Sequence, residues 1–160
     1  MASNCPQPGG TITRLLGLGN EILADDAFGI VVAREAQKQF PQLDVVCSSS
    51  SGFSLLDEVE GASRLLVVDT IQTGSAEPGA LRVFSEAQFQ PEQVVGPHFM
   101  GLFETVEVAR HLGLEAPGEI QVIAVEAFDC ITVGGAMHPK VQAAIPAALR
   151  LIGEFIAGGA

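Results

Sequence analysis

The segment Arg64–Asp69, which reads RLLVVD, decides the fold class of this chain. Four consecutive apolar residues stand in it directly before a single acidic residue. A strand with one solvent-exposed face alternates between apolar and polar residues, whereas an unbroken apolar run is typical of a strand that is buried on both faces. We therefore predict a central strand of a parallel sheet, with Asp69 at its carboxyl end.

Strands and helices alternate on both sides of this segment. Apolar runs bounded by turn residues predict further strands at Thr11–Leu18, Leu43–Cys47, Glu119–Val125 and, at a sheet edge, Ala80–Phe84. Apolar residues at helical spacing predict helices at Ala27–Phe40, Ser54–Glu60, Gly101–Leu112 and Pro139–Ile156. Pro146 should kink the last of them. The alternation predicts a three-layer α/β/α sandwich with a mostly parallel sheet of roughly five strands.

The composition is that of one compact domain. Of the 160 residues, 48% are hydrophobic and 17% are charged, so the chain can bury a proper core. We predict a flexible N-terminus at residues 1–10 and a single domain at residues 11–160. No apolar run reaches the ~18 residues that a membrane span needs. Three widely spaced cysteines without a CxxC motif fit the reducing cytoplasm, where we expect the protein.

The net charge of −11 limits the possible partners. Such a chain repels a phosphate backbone and offers no basic stripe, so neither nucleic acid nor an anionic membrane is an expected partner. An acidic surface suits a basic partner or metal cations, although solubility alone would also explain it.

Residues 17–29, GLGNEILADDAFG, link the first predicted strand to the first helix. Their opening Gly-x-Gly also occurs in dinucleotide-binding loops. Here, however, Ile22 takes the place of the third glycine, and the second strand ends in Cys47 and Ser48 rather than in an acid that could hold a ribose. The sequence also lacks a GxxxxGK[ST] phosphate loop. We therefore expect no nucleotide cofactor.

Two carboxylates and one imidazole come from three separate loops of the predicted fold. Asp25 and Asp26 stand where the first helix begins, and if one caps the helix, the other is free to point into the cleft above the sheet. Asp69 lies where open α/β sheets place their ligands, and His98 lies in a constrained loop before a helix. Each also has an ordinary structural interpretation, for Asp69 a hydrogen bond to a loop amide and for His98 a place at a helix start.

The chemistry that these residue types favour is metal coordination. Oxygen and imidazole donors suit nickel, zinc or manganese, and three protein ligands leave coordination positions open. The sequence has neither a GxSxG elbow nor an HExxH helix, and no cysteine has a recognisable histidine partner. His111 and His138 are weaker candidates, because the first lies near a helix end and the second directly precedes Pro139.

With these motifs in view, the sequence resembles the hydrogenase maturation proteases, endopeptidases that trim the C-terminal extension of the nickel-iron hydrogenase large subunit. The resemblance extends from about Ile12 to Ile156. It rests on the GxGNxxxxDDxxG pattern of residues 17–29, on the strand ending in Asp69, and on the Pro-His and Gly-Leu pairs of residues 97–102. The chain departs from many members at Ala27, where they have glycine, and at Ser48–Ser51, where their loop is richer in glycine.

The resemblance implies a function and a site. Asp26, Asp69 and His98 would be the catalytic and nickel-recognising residues of an aspartic-type endopeptidase. The nickel would be carried by the hydrogenase large-subunit precursor, which is the expected partner of a monomeric enzyme. Either a carboxylate or the metal could activate the water. Two alternatives remain, a non-catalytic nickel-binding or chaperone-like accessory protein of hydrogenase assembly and a nucleotide-binding α/β enzyme.

Overall fold

The computed structural model describes residues 10–89 and 98–158. Within these ranges five strands form one sheet: β1 (Thr13–Leu18), β2 (Asp44–Ser48), β3 (Arg64–Ile71), β4 (Leu81–Ser85) and β5 (Glu119–Glu126). Their order is β2-β1-β3-β5-β4, with β4 antiparallel to β5 and all other neighbours parallel. The predicted α/β class, the mostly parallel sheet and the edge strand are confirmed.

Helices cover both faces of this sheet. They are α1 (Phe28–Gln39), α2 (Leu56–Val59), α3 (Leu102–His111), α4 (Pro139–Ala143) and α5 (Ile145–Ala157). Successive residues of β3 point to opposite faces, so Leu66 and Val68 pack against the α1 and α5 side while Leu65 and Val67 pack against the α3 side. Each of these four side chains is buried, which is why the strand reads as an unbroken apolar run.

The central strand is longer than predicted. It continues two residues past Asp69 to Ile71, and Asp69 pairs with Ala124 inside the ladder to β5. The expectation that Asp69 ends the strand is therefore wrong. The physical reason is that Thr70 and Ile71 are β-branched, fully buried and still paired with β5.

The last helix is divided rather than kinked. α4 ends at Ala143 and α5 begins at Ile145, so Pro146 lies in the first turn of a new helix. A proline in a helix interior would remove one backbone hydrogen bond and clash with the preceding turn, whereas a first turn tolerates it. Pro139 lies in the first turn of α4, as predicted.

Glycines allow α1 to lie close to the sheet. A Cβ atom on Gly29 would overlap the carbonyl oxygens of Leu18 and Val68, and one on Gly17 would lie 2.5 Å from the carbonyl oxygen of Gly29. Gly19 has a φ of 149° and faces the carbonyl oxygen of Asp26 with no room for a side chain. The glycines of residues 17–29 thus have a packing role, which explains the pattern without a nucleotide.

The expectations for residues 1–9, which include Cys5 and the flexible N-terminus, lie outside the described residues, as does the segment 90–97. In the part of the chain that the structure describes, no helix combines the length and the apolar character needed to cross a membrane.

Candidate functional site

The structure brings Asp26 and His98 together at the carboxyl edge of the sheet. Oδ2 of Asp26 lies 3.0 Å from Nε2 of His98. Asp26 is 2% exposed and sits in a 3₁₀ turn at Ala24–Ala27 that follows β1, while His98 lies in the turn before α3. Two residues 72 positions apart in the chain therefore form a carboxylate–imidazole pair in which the carboxylate is buried and the imidazole is partly buried.

The loop that carries Asp26 is fixed by its own backbone. The Asp26 carbonyl oxygen accepts a hydrogen bond from the amide of Asn20 at 3.2 Å, and the Asp26 amide donates to the carbonyl oxygen of Leu23 at 2.8 Å. Because Gly19 lacks a Cβ atom, the chain can pass directly beside that Asp26 carbonyl group. The carboxylate is thus presented by a tight, internally bonded turn.

Asp69 is fully buried, and two backbone amides hold its carboxylate. Oδ1 accepts from the amide of Thr70 at 2.7 Å and Oδ2 accepts from the amide of Phe99 at 3.1 Å. The ordinary interpretation of Asp69, a hydrogen bond to a loop amide, therefore applies to it. The Phe99 bond also fixes the residue next to His98 against β3, so Asp69 positions the imidazole through the backbone.

Burial raises the pKa of Asp69 to about 8. The Thr70 amide, the charge of His98 and the Phe99 amide oppose this rise, and the charge of Asp26 adds to it. A carboxyl group with this pKa is largely protonated at neutral pH. It can become an anionic ligand only when a cation takes the place of the proton.

His98 is the third member of the site, with only 12% of its side chain exposed. The hydrogen bond to Asp26 raises the pKa of His98, burial lowers it, and the charges of Asp69 and Asp26 raise it further. A backbone contact from Ser50 adds to the rise, although Nδ1 makes no hydrogen bond of normal geometry to any described residue. The imidazole is therefore held mainly by one carboxylate.

The metal-ligand set itself stays a prediction. Among residues 10–89 and 98–158, no three His, Cys, Asp or Glu side chains are arranged so that they could hold a metal ion. Asp26 and His98 contact each other, and both oxygens of Asp69 accept amide hydrogens. A metal bound by all three residues would have to replace some of these contacts.

Asp25, the neighbour of Asp26, has a structural role, but it does not cap a helix. It is fully buried and accepts hydrogen bonds from three amides of the segment after β5, those of Phe128 (2.8 Å), Asp129 (2.9 Å) and His138 (2.6 Å). The expected helix cap is wrong, because neither α1 nor the 3₁₀ turn before it has a side-chain cap. Asp25 instead fastens the distant loop beside the site.

The other two histidines serve helix ends. Nδ1 of His138 accepts from the amide of Lys140 at 3.2 Å and so caps α4. Nδ1 of His111 lies 2.9 Å from the carbonyl oxygen of Glu107 in the last turn of α3. Neither contact reaches Asp26, Asp69 or His98.

Two residues at the site were not singled out from the sequence. The Thr70 hydroxyl donates to Oδ1 of Asp26 at 3.1 Å, and the Cys130 thiol donates to the Thr70 hydroxyl at 3.7 Å. Burial raises the pKa of Cys130 to about 12, so the thiol keeps its proton. One signal was available for Thr70: a second polar residue directly after Asp69 in a buried strand must find a hydrogen-bond partner.

The Ser48–Ser51 loop supports the site from the β2 side. Ser48 is buried, and its hydroxyl donates to Oε1 of Glu58 at 2.7 Å and accepts from the amide of Ser50 at 3.0 Å. The loop continues into Gly52, whose Cα lies 3.1 Å from where a Cβ of Gly101 would be. The loop therefore packs against the turn that carries His98.

Exposed apolar side chains stand in the loops around the same edge of the sheet. We call them the apolar rim: Ile22, Phe53, Met100, Phe128, Ile131 and Val133. They are 43% to 82% exposed and come from the segments after β1, β2 and β5 and from the turn before α3. Because they come from loops at one edge of the sheet, these side chains are a candidate surface for contact with another macromolecule.

Comparisons with known proteins agree with this fold. A family model described as hydrogenase maturation protease (HycI) matches residues 30–154, a stretch that contains Asp69 and His98. Among curated proteins, the chain is 28% identical to the hydrogenase expression/formation protein HoxM of Cupriavidus necator, with 84% of this chain and 69% of HoxM aligned. It is also 28% identical to HupD of Bradyrhizobium diazoefficiens, over 89% of this chain and 77% of HupD.

A solved structure has the same fold. It is the [NiFe] hydrogenase maturation protease HybD from Thermococcus kodakarensis, which superposes with a TM-score of 0.75 and 23% sequence identity. The match covers 90% of this chain and 98% of HybD. At this level of identity the likeness establishes the fold.

Proposed function

Because the chain belongs to the hydrogenase maturation protease family, we propose that it removes the C-terminal extension of a nickel-loaded nickel-iron hydrogenase large-subunit precursor. The family assignment makes it a peptidase. The further proposal is that Asp26, Asp69 and His98 recognise the nickel. The observation that supports it is the partly buried Asp26–His98 pair at the carboxyl edge of the sheet, where open α/β sheets bind their ligands.

The donor set suits nickel that is carried by the substrate. Two carboxylates and one imidazole offer the oxygen and nitrogen ligands that a borderline divalent cation accepts. An arriving cation would replace the proton of Asp69 and the mutual hydrogen bond of Asp26 and His98. A precursor without nickel has no cation that could replace these contacts. The site would therefore discriminate between nickel-loaded and nickel-free precursor.

Cleavage would follow from this alignment. With the nickel engaged, the scissile peptide bond would lie beside the site, and water would attack its carbonyl carbon. A carboxylate could accept the proton of that water, or the cation could lower the pKa of the water. The C–N bond would then break, and the leaving amine of the extension would take up the proton that the water gave.

An activity assay tests this function. The purified chain is incubated with a nickel-loaded large-subunit precursor, and the precursor is followed by intact-mass measurement. A shift to a lower mass supports the peptidase. A stable complex at unchanged mass would instead identify a non-catalytic nickel-binding or chaperone-like accessory protein. The monomeric state and the cytoplasmic location remain predictions, and size-exclusion chromatography with light scattering tests the first.

Processing should become faster as the pH rises from 6 to about 8. The raised pKa values of Asp69 and His98 mean that both groups are protonated at pH 6, and metal ligands must lose their protons. We expect kcat/KM to rise by up to about tenfold per pH unit for each proton lost, and to level off once the pH has passed the pKa of both groups, which for Asp69 is about 8. Initial rates at constant ionic strength measure this profile.

Stability changes in the opposite direction over the same range. A pKa that is raised in the folded state contributes stability below the unfolded pKa, and this contribution is lost as the pH rises through the folded pKa. For Asp69 the loss runs from about pH 4 to about pH 8. Faster processing in this window therefore cannot come from a more stable fold, and a flat or falling rate profile would contradict the proposed ligand roles.

The apolar rim should carry part of the binding energy for the precursor. The rim residues come from the loops at the same edge of the sheet as Asp26 and His98, so we expect a bound precursor to lie against them. Replacing Ile131, which is 82% exposed, with serine should raise KM about tenfold and leave kcat unchanged, because about 1.5 kcal/mol of apolar burial is lost on binding.

The matched control for this variant is Leu112→Ser. Leu112 is 65% exposed, but it lies at the end of α3, in the connection that leads to the opposite edge of the sheet. The Leu112→Ser variant should leave both kcat and KM unchanged. Equal effects from the two variants, or no effect from Ile131→Ser, would mean that the precursor docks elsewhere.

A further inference from the structure

We propose that Thr70 is a positioning residue whose buried hydroxyl holds the Asp26 carboxylate against His98, and that the Cys130 thiol orients this hydroxyl. The contacts of Thr70 do not depend on the reaction. Only the activity test of this proposal rests on the proposed peptidase function.

Thr70 contacts both carboxylates of the site. It is 1% exposed, its hydroxyl donates to Oδ1 of Asp26 at 3.1 Å, and its amide donates to Oδ1 of Asp69 at 2.7 Å. The side chains of Asp69 and Thr70 point to opposite faces of β3, because side chains alternate along a strand. One residue can therefore fix Asp69 through the backbone and Asp26 through the side chain.

The Cys130 contact determines which way the hydroxyl points. A hydroxyl group has one hydrogen to donate and two lone pairs that accept. Sγ of Cys130 donates to Oγ1 of Thr70 at 3.7 Å, so a lone pair faces the thiol and the hydrogen remains for Asp26. The thiol has a hydrogen to donate in this contact, because burial keeps it protonated.

The two oxygens of Asp26 have separate partners in consequence. Oδ1 accepts from Thr70, and Oδ2 faces Nε2 of His98. Without the hydroxyl, the carboxylate could rotate about its terminal torsion, which is broad and weakly restrained in aspartate. The hydroxyl therefore sets the orientation of the oxygen that faces the imidazole. In valine a methyl group takes the place of the hydroxyl, so packing alone does not require threonine at this position.

The test compares Thr70→Val with Thr70→Ser. Valine keeps the volume and the β-branch but removes the donor, and serine keeps the donor. We expect kcat/KM for the nickel-loaded precursor to fall by about 100-fold in Thr70→Val, because a small misplacement of a reacting group costs that much. Thr70→Ser should restore kcat/KM to within a few fold of the wild type.

A second measurement needs no substrate. The ¹⁵N chemical shift of Nε2 in His98, assigned with the His98→Ala variant, reports the hydrogen bond to Asp26 at a fixed pH. It should move in Thr70→Val and stay in place in Thr70→Ser. Cys130→Ala should move it in the same direction but less, since it removes only the group that orients the hydroxyl.

The outcomes separate the positioning role from the peptidase function. An unchanged His98 signal in Thr70→Val overturns the positioning role, whatever the activity. Absence of cleavage by the wild type overturns the proposed function. The ¹⁵N chemical shift of His98 then tests the positioning role of Thr70 by itself. If Thr70→Val does not fold by circular dichroism, Thr70→Ala, which also lacks the hydroxyl and is smaller, takes its place in both measurements.

Discussion

Replacing His98 with alanine should abolish processing of the nickel-loaded precursor and leave the fold intact. The imidazole is the group that faces Asp26, and loss of a residue that binds the ion or transfers a proton lowers the rate by about 100-fold or more. His98 lies in a turn, and its side chain makes one hydrogen bond among the described residues. We therefore expect no detectable cleaved product at times when the wild-type protein has processed all of the precursor.

The matched control for this variant is His111→Ala. His111 is exposed at the end of α3, and its Nδ1 atom lies within hydrogen-bond distance of the carbonyl oxygen of Glu107 in the same helix. It should process the precursor at the wild-type rate. Both variants should give wild-type circular dichroism spectra. Normal processing by folded His98→Ala would remove the imidazole from the mechanism.

Replacing Gly29 with alanine should destabilise the protein by about 3 kcal/mol or more, enough to prevent folding of a marginally stable domain. A Cβ atom there would overlap the carbonyl oxygens of Leu18 and Val68, which belong to the central strands β1 and β3. Backbone atoms in the middle of a sheet cannot move aside as a flexible side chain can. The helix α1 would have to lift off the sheet.

Gly118→Ala is the control for the glycine. A Cβ atom on Gly118 would meet nothing within 4 Å, so this variant should unfold at the urea concentration of the wild type or slightly above it. Urea unfolding followed by circular dichroism measures both. A Gly29→Ala variant as stable as the wild type would mean that the close approach of α1 to the sheet does not restrict this position.

Much of the fold could be predicted from one strand. The apolar run of residues 64–69 predicted a strand that is buried on both faces. In the structure α3 covers one face of this strand, and α1 and α5 cover the other. The end of that strand was misplaced because the prediction took the first acid as a strand end. Asp69 can stay inside the ladder because two backbone amides bind its carboxylate, one of them from the distant Phe99.

The meeting of Asp26 and His98 could also be predicted, since Asp26 follows the parallel strand β1 and His98 precedes α3, the helix that leads back to the start of the parallel strand β5. The sequence could not predict that Asp26 would face His98 while the neighbouring Asp25 would bind backbone amides. Asp25 turns away from the site because it binds amides that begin 103 positions later, at Phe128. Periodicity carries no information about such a contact, and the same holds for the approach of Cys130 to Thr70, which are 60 positions apart.

The measurement that tests the central claim most directly compares one precursor in its nickel-loaded and nickel-free forms. Each form is incubated with the wild-type chain, and with Asp26→Asn as a second sample, and the mass of the large subunit is recorded over time. We predict that the wild type shortens only the nickel-loaded form and that Asp26→Asn shortens neither. Equal processing of both forms by the wild type would contradict the claim that Asp26, Asp69 and His98 recognise the nickel of the precursor.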